Sequence, residues 1–118
     1  MATVRTRLTG GQDVTAAITR EAVGELGIAE GSRVRVLIKA TEVSLAIGPL
    51  HGISIRNQLA GEVVGVSTGG AMATVKIKIG GGELTAAITR ESVDELALAV
   101  GAAVVALVKS TEVSLATA

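Results

Sequence analysis

Cysteine, phenylalanine, tyrosine and tryptophan are all absent from this sequence, and histidine and proline occur once each. Without cysteine there is neither a disulfide framework nor a thiolate metal site. His51 alone cannot build a histidine-ligated metal centre, and no nucleophile is paired with a usable histidine base. The glycine runs lack a following Gly-Lys-Ser/Thr and sit where a hairpin is expected, so they are not phosphate-binding loops. Acidic residues Glu21, Glu25, Glu91, Asp94 and Glu95 fall on short helical stretches as solvated faces. The reading is a binding protein, not an enzyme.

Charge and hydropathy exclude two further classes. The formal net charge is zero and the pI near 6.6, so the excess of clustered Lys and Arg that nucleic-acid binding requires is missing. The longest nearly apolar run, Leu96 to Val108, is interrupted by Gly101 and falls short of the roughly 20 residues that span a bilayer. The first residues carry no signal-peptide pattern. A soluble cytoplasmic protein is expected.

The lack of aromatics also constrains the core. Aromatic side chains bury about 150–250 Å² each and usually dominate small cores. Here the interior must come from Val, Ile, Leu and Ala, yet 48% of residues are hydrophobic, more than a lone small domain easily hides. Burial between subunits resolves this, so an oligomer is expected.

What is present is a repeat. Residues 14–46 align without gaps to residues 84–116, with 21 of 33 positions identical. Upstream, ATVRTRLTGGQD matches ATVKIKIGGGE with one extra residue in the glycine turn. Within ATVKIKI, Val75, Ile77 and Ile79 alternate with Thr74, Lys76 and Lys78, the pattern of a half-buried strand. Gly80-Gly81-Gly82 turns the chain, and Leu84 to Ile88 returns as a second strand. Thr89 N-caps a short helix over Arg90–Leu96, with Glu91 in its first turn. Strands at 103–108 and TEVSLA complete the unit. Mainly β, with two tandem small barrels of the oligonucleotide/oligosaccharide-binding type and one short helix each, is the expected fold.

Residues 55–69, IRNQLAGEVVGVSTG, supply a first strand to the second unit only. The expected organisation is a partial repeat at 1–47, a linker at 48–52 and a complete repeat at 53–118. Met1 aligns with Met72, so the sequence starts part-way through its own repeat. Either a further strand precedes it, or a shortened unit borrows a strand from a neighbour; both leave an unpaired edge that favours association. Strand 33–38 alternates Arg33 and Arg35 with Val34, Val36 and Ile38, whereas 103–108 is apolar on both faces. The second copy is therefore expected at a subunit interface, through Val105.

One chemistry is plausible from the residues. ISIRN offers the Ser54 hydroxyl, the Arg56 guanidinium, the Asn57 amide and backbone N–H groups, and such N–H groups in a concavity bind oxyanions without net charge. Lys39 and Lys109 stand at strand ends, as anion contacts or as edge-strand solubilisers. Thr19 and Thr89 lie at helix starts, as N-caps or as additional donors. Arg56 reads equally as half of a surface ion pair.

Ser54-Ile55-Arg56-Asn57-Gln58-Leu59-x-Gly61, followed by AAITRES and LVKSTEV, resembles the Mop domain of molybdate-binding proteins, the molbindins, and the related TOBE domains of molybdate transporter ATPases and molybdate-responsive regulators. The resemblance covers nearly the whole chain. It implies an oxyanion site shared between units: Ser54, Ile55, Arg56 and Asn57 with Lys109 and Ser110, faced by Thr19. Lys39, Ala40 and Thr89 would serve a pseudo-symmetric site that lacks its Ser-x-Arg-Asn. Ile55 replaces the family's usual alanine. The ligand implied is molybdate or tungstate, with no organic cofactor, no nucleic acid and no membrane partner. The protein implied is a homo-oligomeric store, most simply a trimer. The alternative is a detached regulatory or assembly module of a transporter ATPase or regulator.

Overall fold

The computed structural model describes residues 1–118, a body of 44 × 29 × 26 Å. β1 (Ala2–Arg7) and β2 (Asp13–Ile18) form a hairpin, followed by α1 (Arg20–Leu26), β3 (Val34–Ile38), a 3-10 turn at Ala40–Glu42 and β4 (Ser44–Ala46). The second half runs β5 (Asn57–Thr68), β6 (Met72–Ile79), β7 (Gly82–Thr89), α2 (Arg90–Glu95), β8 (Ala103–Val108), a 3-10 turn at Ser110–Glu112 and β9 (Val113–Thr117). Mainly β architecture with one short helix per repeat agrees with the sequence. Some limits shift. β5 starts at Asn57 rather than Ile55, β7 extends from Gly82 to Thr89, and TEVSLA divides into a 3-10 turn and a strand.

Local sequence explains the elements. β6 alternates strictly, burying Ala73, Val75, Ile77 and Ile79 and exposing Lys76 and Lys78. The Thr19 hydroxyl accepts from the Ala22 N–H at 3.0 Å, and Thr89 accepts from Ser92 N–H at 3.1 Å. Both threonines thus cap their helices. α1 ends on Gly27 in the left-handed region, φ 62. After α2 the equivalent residue is Ala97, at φ 51, where a Cβ is disfavoured.

Three sheets result: β1-β2, β3-β9 and β4-β8-β5-β6-β7. Strands are exchanged between the repeats. β4 of the first pairs with β8 of the second, from Ser44↔Leu107 to Ala46↔Val105. β9 of the second pairs with β3 of the first, from Val34↔Thr117 to Ile38↔Val113. Placement explains why β8 is apolar throughout. It lies between β4 and β5, with Val104, Ala106, Leu107 and Val108 buried and Val105 half-buried. β3 pairs only with β9, so Arg33 and Arg35 are exposed and Leu37 is 50% exposed.

One core serves the whole chain, but unequally. Of its sixteen buried residues only Val14, Ala16 and Val43 come from the first repeat. Ile77, Val63 and Val75 at its centre belong to the second, around β5. The two repeats also meet through their glycine turns, where Gly10 packs against the Gly80 backbone. The extra residue of the first turn, Gln12, bridges both halves: its Oε1 accepts from Gly80 N–H at 2.9 Å and its Nε2 donates to the Ala60 carbonyl at 3.0 Å.

Two substitutions should move stability in opposite directions, measured by thermal melts in far-ultraviolet circular dichroism. Gly10→Ala would drive a methyl into the Gly80 carbonyl and should cost about 1–3 kcal/mol. Ala97→Gly relieves the left-handed alanine and should gain up to about 1 kcal/mol.

Candidate functional site

The start of β5 is fixed by its register on β8, where Asn57 pairs with Val108. Continued antiparallel, this register sets the preceding residues 54–56 alongside Lys109 and Ser110, just past the end of β8. The Ser54–Arg56 segment and the Lys109–Ser110 turn are therefore neighbours because β5 and β8 are neighbours.

Side chains within the segment take up its carbonyls. Arg56 folds back, donating from Nη2 to the Ile53 carbonyl at 3.0 Å and from Nε to the Ser54 carbonyl at 3.3 Å. Gln58 Nε2 donates to the Ile55 carbonyl at 3.4 Å. The N–H groups of Ser54, Ile55 and Arg56 have no partner in the chain. A short stretch with its acceptors satisfied and its donors free presents a run of backbone N–H groups, the donor type that binds anions. The Ser54 side chain is exposed at its start and Ile55 is half-buried.

Asn57 is engaged differently. It is 3% exposed, and its amide pairs with one residue of β2: Oδ1 accepts from the Thr15 N–H and Nδ2 donates to the Thr15 carbonyl, both at 2.8 Å. A side chain thus imitates a strand neighbour and ties the start of β5 to the first repeat. Its identity as an amide, with one donor and one acceptor, was visible in the sequence; its partner 42 residues away was not.

The adjoining turn carries an unusual atom. Ser110 Oγ is buried and has no hydrogen-bond partner, and a buried hydroxyl left unpaired costs about 1–3 kcal/mol. Lys109 beside it is exposed, and the chain's one ion pair, Arg7–Asp13 at 3.0 Å, lies elsewhere. No carboxylate neutralises Lys109 or Arg56. Orphan hydroxyl, free N–H groups and uncompensated cations converge on one end of the β5-β8 pair.

Strand exchange decides which residues face this end. β2 packs against the 110–112 turn, and β7 packs against the 40–42 turn. Thr19 follows directly after β2, the strand that packs against the 110–112 turn; its hydroxyl accepts from the helix and retains its own proton to donate. Thr89 bears the same relation to Lys39–Ala40, with its hydroxyl also within 2.7 Å of Ser92 Oγ. The pseudo-equivalent end is poorer. Ala40 has no hydroxyl to match Ser110, and no strand corresponding to β5 runs beside β3.

TOBE domain models match residues 1–45 and 53–115. The chain belongs to the TOBE domain family. The molybdenum-pterin-binding protein MopB of Rhodobacter capsulatus is 41% identical to this TOBE chain, over 98% of it and 43% of MopB. The molybdenum transport protein ModE of Azotobacter vinelandii is 35% identical over 96% of the chain and 42% of ModE. The chain spans less than half the length of these curated relatives. Among solved structures, the cytoplasmic molybdate-binding protein ModG with molybdate bound superposes at a TM-score of 0.94. It shares 35% identity, over 98% of this chain and 84% of ModG. This establishes the tandem TOBE fold for the whole chain.

Asn57 has a sharp signature. Asn57→Ala strands the Thr15 N–H and carbonyl and should cost about 2–4 kcal/mol in urea unfolding followed by circular dichroism. Asn57→Asp removes the donor and sets a carboxylate against the Thr15 carbonyl. Burial raises that carboxyl's pKa, so its deficit should shrink as pH falls and the protonated acid regains a donor.

Proposed function

We propose that this chain binds a tetrahedral oxyanion, molybdate or tungstate, and serves as a cytoplasmic store or buffer for it. The observation that carries the reading is the partnerless, buried Ser110 hydroxyl beside the free N–H groups of Ser54, Ile55 and Arg56. An incoming oxyanion would take hydrogen bonds from these groups and from Ser54 Oγ, with Lys109 supplying charge and Thr19 closing the site from the exchanged strand. Arg56 and Asn57 would act chiefly by shaping the segment, since their side chains are already committed. Lys39, Ala40 and Thr89 would form a second, incomplete site.

Charge-assisted hydrogen bonds contribute about 1.5–3 kcal/mol each, so a handful suffices for firm binding in a neutral chain. Sulfate carries the same shape and charge as molybdate. Discrimination must then rest on size, with a cradle set for longer metal–oxygen bonds leaving sulfate with stretched contacts. The names of the relatives support this ligand class: MopB is a molybdenum-pterin-binding protein and ModG a cytoplasmic molybdate-binding one. Those names describe binding and transport, not a reaction, and the proposal includes no catalysis.

Exposed Leu37, Ile47 and Val100 and half-buried Val105 support a homo-oligomer, with a trimer of tandem units as the form proposed. A second reading is favoured by ModC of Yersinia pseudotuberculosis, a molybdenum import ATP-binding protein 44% identical over 75% of this chain but only 24% of ModC. Under it the chain is a regulatory or assembly module. The two differ in stoichiometric uptake.

Native mass spectrometry with molybdate, and with sulfate as control, tests the store. A fixed number of molybdates per oligomer and no sulfate is expected; no uptake refutes it. Ser54→Ala combined with Lys109→Ala should abolish most uptake. Ser110→Ala is diagnostic because it should leave the ligand-free protein as stable or more so, yet weaken molybdate about tenfold, one hydrogen bond's worth. Val105→Glu should lower the oligomeric state; an intact assembly would remove β8 from the interface.

A further inference from the structure

The acceptors around the Ser54–Arg56 segment are as telling as its donors. A trans peptide unit points its N–H and its carbonyl in opposite directions, and the chain has no cis bonds. The free N–H groups of Ser54, Ile55 and Arg56 belong to the peptide units that carry the carbonyls of Ile53, Ser54 and Ile55. Each of those carbonyls is taken by a side chain. Arg56 Nη2 donates to Ile53 at 3.0 Å, Arg56 Nε to Ser54 at 3.3 Å, and Gln58 Nε2 to Ile55 at 3.4 Å. One guanidinium and one amide thus hold three consecutive peptides by their acceptor ends and leave the donor ends free. The next carbonyl, that of Arg56, belongs to the peptide that enters β5 at Asn57.

The neighbouring turn is spent in the same way. The Lys109 carbonyl accepts from the Glu112 N–H at 2.9 Å, and the Ser110 carbonyl from the Val113 N–H. Asn57 Oδ1 is engaged by the Thr15 N–H, and Thr19 Oγ1 by the Ala22 N–H. Ser110 Oγ, buried and without a partner, therefore has a proton to give and no oxygen of the chain to give it to. A bare ligand oxygen would satisfy it. A ligand O–H would not, because it needs an acceptor for itself. If Ser110 accepted that proton, its own would stay unpaired in a buried place, and an unmet buried donor is costly.

We infer that this site selects its ligand by protonation state as well as by size. It takes tetrahedral oxyanions that carry no proton near neutral pH and turns away those that keep one, such as hydrogen phosphate and hydrogen arsenate. The Arg56 side chain is the specificity-determining group, and it acts by position: capping the Ile53 and Ser54 carbonyls removes the acceptors that a ligand O–H would use. Gln58 does the same for Ile55. The inference rests on the oxyanion reading of the site, and it adds a discrimination that neither charge nor shape provides.

Selenate and hydrogen arsenate separate the two criteria. In mildly alkaline buffer both are tetrahedral dianions, but arsenate keeps one proton and selenate none. Arsenate has the longer bonds to oxygen, so a cradle set for molybdate would favour it on size alone. The measurement is equilibrium dialysis of the intact chain with molybdate, quantified by elemental mass spectrometry, with each anion as competitor. Selenate should compete at least about tenfold better than arsenate, one hydrogen bond's worth. Arg56→Met, at an exposed side chain, frees two carbonyls and should shrink that ratio at least about threefold. Gln58→Leu should shrink it as well. A segment that was merely loosened would weaken both competitors alike and leave the ratio unchanged. Arsenate matching or exceeding selenate overturns the inference while molybdate retention leaves the oxyanion reading standing. An unchanged ratio in both variants, folded by circular dichroism, overturns the role of the two side chains. Failure of the chain to retain molybdate at all removes the oxyanion reading and this inference together.

Discussion

The paired hydrogen bonds between the Asn57 amide and the backbone of Thr15 are the contact on which the arrangement of the molecule turns. They join β5, the strand at the centre of the large sheet, to β2 of the other repeat. Removing an amide from water with one donor and one acceptor is tolerable only when both are met, and here both are met by a single residue. That clamp ties the start of β5, set by its register on β8, to the first repeat. Because β5 begins there, the residues before it leave the sheet beside Lys109 and Ser110, and the free N–H groups of the candidate site have a defined place.

An internal repeat identical at 21 of 33 aligned positions has produced two unequal halves, which differ by one strand. β5 pairs between β6 and β8 in the second repeat, where Val75, Val93, Leu98 and Val104 are buried, while their counterparts Val4, Val23, Ile28 and Val34 in the first repeat remain half-buried. The chain shares a single core, to which the first repeat adds only Val14, Ala16 and Val43. The same asymmetry separates the oxyanion-like ends: Ser110 has its hydroxyl and its neighbouring strand, and Ala40 has neither.

Much of this was legible in the residues. The alternation in ATVKIKI gave β6 and its buried face, the threonine caps gave both helices, and the unmatched ISIRNQL marked the segment with unusual chemistry. What escaped was long-range. Nothing local in TEVSLA says that each copy will pair with the other repeat, since strand pairing depends on where a turn sends the chain. The 3-10 turns at 40–42 and 110–112, which redirect it, look extended in sequence. The amide of Asn57 read as a ligand donor because its partner Thr15 is an ordinary threonine in an ordinary strand. Gln12 was visible only as an insertion; that it spans Ala60 and Gly80 could not be read from spacing.

Exchange of β4 and β9 has a kinetic side. β3 finds its ladder partner only in residues 113–117, nearly eighty positions later. Long-range pairings of this kind are slow to close because the loop entropy precedes the reward. During synthesis the first repeat can close its β1-β2 hairpin, but β3 must wait until the last strand has left the ribosome. The five-stranded sheet is complete once β8 has emerged, whereas a chain cut short before residue 113 would leave β3 without its ladder partner.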